Sequence, residues 1–197
     1  MWTQLFSILS VIVALLIVLK KYSSESKDYI YIGIASLTIW LIGDIIHSVN
    51  VPFQKVVQLF LQSFSLSFVL VIFLKFIRQR KPIIFRYPNY MVYLPLLIPI
   101  TQLIVADTQI IGEIIFMSLQ AICLIVYVLL SIGYSAEIEN KILTIVGILL
   151  LTGGFTFYWI LQEYYIVFEW AWGLTNASGV LASVYSFSDL IKSNENI

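Results

Sequence analysis

The sequence predicts an all-α integral membrane protein with seven transmembrane helices, its N-terminus outside and its C-terminus cytoplasmic. Three observations carry this. Hydrophobic residues make up 60% of the 197-residue chain and charged residues only 11%, too few to give a soluble domain of this size a polar surface. Apolar runs long enough to cross a bilayer recur from end to end. Finally, ten of the eleven Lys and Arg residues fall on one side of a seven-span arrangement and only Lys55 on the other.

The spans read at about 3–20, 29–49, 56–77, 90–106, 109–133, 142–162 and 167–190, one transmembrane domain covering 1–197. No Lys or Arg precedes the first run, whereas Lys20 and Lys21 follow it. That is the pattern of a retained helix and not of a cleaved secretion signal. "KYSSESKD", "NVP", "RQRKPIIFRYPN", "ADT", "AEIEN" and "EYYIVFE" separate the spans. The fourth span is the shortest, and Pro95 and Pro99 are expected to kink it. Under the positive-inside rule the basic side is cytoplasmic, and the expected location is a bacterial inner membrane. Tyr and Trp near the span ends fit headgroup-level anchors, and the basic stretch 75–86 reads as a topology determinant or a contact for anionic lipid.

With formal charge zero, net charge suggests no nucleic-acid partner. Cys123, the one cysteine, reads as a small core residue. No His, Cys or carboxylate spacing suggests a metal, and no motif implies a cofactor. A transporter finds no internal repeat to support it. A retinal protein is disfavoured because no lysine lies inside the last span.

Polar side chains within the spans are more informative, since a charge at mid-depth costs about 2.5–3.5 kcal/mol on insertion scales. Asp44 and His47 lie near the outer end of span two. Gln58 and Gln62 open span three four residues apart, on one helical face, and Ser65 continues the stripe. Glu113 lies in the first turns of span five, Gln162 and Glu163 end span six, and Asn176 lies in the outer half of span seven. Two readings of this outward bias stay open: a polar pocket facing outside, or separate interhelical hydrogen bonds that hold the bundle together. Asp44 is the foremost acid candidate, and His47 reads as a residue of the rim. Small residues at Gly173, Ala177, Ser178, Gly179, Ala182, Ser183 and Ser186 suit close packing of the last span, against span six or as a dimer face.

"IASLTIWLIGDIIHSVNVPFQKVVQLFLQSFSLSFVLVIFL" resembles a segment of the YhhN-type lysoplasmalogenase family, with Gly43-Asp44 as the matching pair. The resemblance implies a compact multi-helix membrane fold that cleaves the vinyl-ether bond of lysoplasmalogens, releasing an aldehyde. It implies Asp44 as a catalytic acid, a lysolipid substrate and a membrane-lipid environment. "VGILLLTGGFTFYWI" has the place of the family's second acid-bearing helix, but the expected aspartate reads as Phe155 or a neighbour. Glu113 or Glu163 would have to substitute. The family usually has eight spans; loss of the first would leave seven. The competing expectation is a non-catalytic seven-helix sensor or a subunit of a larger membrane complex, acting through a membrane-protein partner or a homodimer.

Overall fold

The computed structural model describes residues 2–21, 27–48, 53–80, 87–104, 108–160 and 165–192. Among these the chain is helical throughout and contains no strand. The α-helices are α1 (Trp2–Lys21), α2 (Lys27–Ser48), α3 (Gln54–Arg80), α4 (Thr108–Gly133), α5 (Lys141–Phe155) and α6 (Tyr165–Lys192). A 3₁₀ rod, Asn89–Leu97 followed by Pro99–Leu103, lies between α3 and α4, and α5 runs on into a π-helical turn, Thr156–Ile160. Helical segments therefore occur at all seven expected places. Four of them are long and apolar enough to cross a membrane: Lys27–Ser48, Gln54–Arg80, Ile110–Gly133 and Lys141–Ile160.

The chain forms two compact units, one of residues 26–123 and one of 1–25 with 124–197. In the first, α2 and α3 make an antiparallel hairpin. Polar pairs and small residues mark their seam from one end to the other. Asp28 pairs with Lys75, and the Tyr29 hydroxyl donates to Gln79. Ser36 Oγ donates to the Ser65 carbonyl at 3.0 Å, and Ser65 Oγ donates to the Ser36 carbonyl at 2.8 Å. Gly43 lies against the Leu61 side chain, where an added Cβ would sit 3.4 Å away. Small side chains bring the backbones close, and the hydroxyls then reach across because no water competes for them. Phe53 leads into α3 with φ of 62° and its carbonyl accepts from Val57 N at 3.1 Å.

The expected kink at Pro95 and Pro99 takes another form. Each proline lacks an N–H and crowds the preceding turn, so an α-helical ladder cannot pass either one. The segment winds instead with i→i+3 hydrogen bonds, from Met91 N to the Pro88 carbonyl, Ile98 N to Pro95 and Thr101 N to Ile98. It packs on α3.

In the second unit α5 and α6 run antiparallel through small residues. A Cβ on Gly147 would meet Ala182 and Ser183, one on Gly154 would meet Asn176, and one on Gly179 would come within 2.9 Å of the Leu151 backbone nitrogen. The packing of spans six and seven expected from the small residues is thus present. Gly153, by contrast, faces nothing within 4 Å. Helix α1 also packs on α6, with Ser10, Val11, Ala14 and Val18 buried at helical spacing. Tyr127, near the end of α4, is hydrogen-bonded to Ser186 of α6 at 2.6 Å. Asn140 caps α5, its side-chain oxygen accepting from Leu143 N at 3.1 Å.

Candidate functional site

Four chain ends meet at one end of the first unit: the end of α2, the start of α3, the end of the 3₁₀ rod and the start of α4. Asp44 is there, 5% exposed, three residues short of His47 on the last turns of α2. Its Oδ1 accepts from Gln62 Nε2 at 2.9 Å, and Gln62 is itself buried. The sequence places Gln62 one turn along α3 from Gln58. Gly43 sits against Leu61, Gln62 and the Gln58 carbonyl, so the face of α3 carrying this stripe is the one that meets α2. Without a side chain at 43, α3 comes near enough for Gln62 to span the gap to Asp44. Gly43-Asp44 thus works as a pair, the first residue making room and the second accepting the bond.

Glu113 forms an ion pair with Lys55 at 2.6 Å, joining the first turn of α3 to the first turns of α4. Lys55 is the cation that the charge distribution left alone on its side, and it is used here. One turn deeper, Trp40 of α2 lies against Phe116 of α4, ring centroids 6.0 Å apart. His47 is half-buried, and its Nδ1 is shielded from solvent without a hydrogen-bond partner. The donor that Asp44 draws from the neighbouring helix is an amide and not this imidazole.

Gln102 belongs to the same end and was not expected in the site. It is fully buried near the end of the 3₁₀ rod and donates through Nε2 to the Val56 carbonyl at 3.4 Å. Its amide also lies over Gly112 so closely that a Cβ there would be 2.4 Å from Nε2. One side chain therefore ties the rod to the starts of α3 and α4. The signal was present: an amide in an apolar, proline-bearing run carries the same desolvation cost as those in the other spans.

Asn176 lies in the second unit, half-buried, where its backbone nitrogen and Cβ pack on Gly154 of α5. Gln162 and Glu163 lie outside the described residues. Among the described residues no group of His, Cys, Asp and Glu is arranged to hold a metal ion.

Chemically, the end of the first unit offers one buried carboxyl group hydrogen-bonded to an amide, an ion pair at the rim and a half-buried imidazole. Compared with protein-family models, with curated proteins and with solved structures, the chain matches none.

Proposed function

We propose that this chain is a seven-span membrane protein, N-terminus outside, whose Asp44-centred cluster faces the outer side and donates a proton in vinyl-ether cleavage of a lysolipid. The observation that carries the reading is Asp44 itself, a carboxyl group buried at a helix end and held by Gln62. In such a reaction the acid gives its proton to the vinyl carbon remote from oxygen. Water then adds to the carbon bearing oxygen. The hemiacetal collapses to an aldehyde and a glycerol hydroxyl, and the proton returns to the carboxylate. Glu113 is committed to Lys55, so a single-acid mechanism is the form proposed.

Two observations support the seven spans. Residues 89–103 would reach only about 22 Å as an α-helix, but at the 3₁₀ rise of about 2.0 Å per residue they extend roughly 30 Å, the thickness of a hydrocarbon core. In addition, α4 is apolar on both faces. Phe116, Leu119, Tyr127 and Leu130 are buried while Ile114, Ile125, Leu129 and Ile132 are exposed, as a helix between a protein interior and lipid would be.

The seam of α2 and α3 favours a second reading, a non-catalytic membrane module. Asp44–Gln62 continues the line begun by Asp28–Lys75 and Ser36–Ser65, pairs whose role is to hold two helices together. One experiment separates the two. Purified protein is incubated with a vinyl-ether lysolipid and free aldehyde is measured, for wild type and for Asp44→Asn. Aldehyde from wild type and none from the variant supports the hydrolase. No aldehyde from a folded wild type removes it and leaves the module.

A further inference from the structure

Basic side chains gather at the other end of the first unit. Lys27, Lys75, Arg78 and Arg80 lie at the start of α2 and the end of α3, against one described acid, Asp28, which Lys75 occupies. Arg78 donates through Nη1 to the Pro88 carbonyl at 3.0 Å, and among the described residues it has no carboxylate partner. That bond sets its guanidinium, whose other donors suit phosphate oxygens, at the head of the 3₁₀ rod. Tyr87 and Tyr90, on either side of Pro88, are 60% and 67% exposed.

The rod supplies the second observation. In a 3₁₀ helix residues three apart stand in line. Leu94, Leu97, Ile100 and Leu103 follow that spacing, and all four are exposed. An apolar row therefore leads away from the end where the guanidinium sits. An α-helix would have spread these residues over half its circumference.

We propose that Arg78 and this row form a binding site for an anionic phospholipid, its phosphate at Arg78 between the two tyrosines and one acyl chain along Leu94, Leu97, Ile100 and Leu103. The apolar row distinguishes a lipid from a free anion, which would use the arginine alone. The site rests on the membrane reading but not on the chemistry at Asp44.

The test uses the full-length protein in detergent, supplied with equal amounts of phosphatidylglycerol and phosphatidylcholine, with bound lipid read by native mass spectrometry. Preferential retention of phosphatidylglycerol is expected. Arg78→Gln should lower it about fivefold, matching about 1 kcal/mol per cation near an anionic surface, while Arg78→Lys should keep most of it. Leu97→Asn, at an exposed position that leaves the core intact, should lower retention of both lipids. Equal retention of the two lipids by wild type, or no loss in Arg78→Gln, overturns the site. So does full displacement by inorganic phosphate, which would mean a free-anion site. Extraction of the protein from its native membranes by alkaline carbonate would instead sink the membrane reading beneath it.

Discussion

Asp44 and Gln62 are coupled across two helices, so changes to them are not equivalent. Asp44→Asn keeps an oxygen for the Gln62 amide and is expected to leave stability within about 0.5 kcal/mol of wild type. Gln62→Leu deletes the donor and should lower it by roughly 0.6–1.7 kcal/mol, the range of interhelical hydrogen bonds in membrane proteins. Thermal melts in mild detergent would check both. A melt that falls as far for Asp44→Asn as for Gln62→Leu would contradict the hydrogen-bond account. Phe53 offers a test of the opposite sign. It holds a left-handed backbone and is 79% exposed, so Phe53→Gly relieves strain while losing little buried surface. A gain of up to about 1 kcal/mol is expected from the same melts. These residues differ in how legible they were. Asp44 announced itself by its cost in an apolar run. The αL backbone of Phe53 followed from nothing local, since an aromatic residue does not favour it.

The α2–α3 and α5–α6 pairs are joined where side chains are small. Among the glycines between α5 and α6 the tightest place is Gly179, where a Cβ would meet the Leu151 backbone nitrogen at 2.9 Å. Backbone cannot rotate aside as a side chain can, so Gly179→Val is expected to cost about 1–3 kcal/mol through overpacking. At Gly153, where nothing lies within 4 Å, the same substitution should cost far less, and the contrast between the two melts is the measurement. Between α2 and α3, Ser36→Ala and Ser65→Ala each delete one hydroxyl-to-carbonyl bond and should each cost about 0.6–1.7 kcal/mol. The small residues could be read from the sequence, but not which of them meets which. Gly153 and Gly154 are neighbours in the chain and face different surroundings because successive helical residues are 100° apart.

For the whole molecule, the testable matter is orientation. In the proposed arrangement the turn before α3 is outside and the turn between α4 and α5 is cytoplasmic. With Cys123 replaced by alanine, a cysteine at exposed Phe53 should react with a membrane-impermeant maleimide in intact spheroplasts. One at exposed Glu139 should react only after lysis. Labelling in the reverse order would invert the topology, and equal labelling of both in intact cells would refute the count of spans between them.

Hydropathy and charge, which need only composition in order along the chain, determined where helical segments lie and which runs suit a bilayer. They singled out Asp44, the Gln58 and Gln62 stripe and the other polar side chains of the spans, because helical periodicity and desolvation cost are local properties. The tertiary structure decided what those features do to one another. It gave Asp44 an amide partner instead of His47, tied Glu113 to Lys55, and packed Asn176 against α5. It also wound the proline-bearing fourth segment as a 3₁₀ rod and buried Gln102 at its end. Prolines in a sequence tell that an α-helical ladder is interrupted. What replaces it depends on the helices packed alongside, as does the partner of each buried polar group.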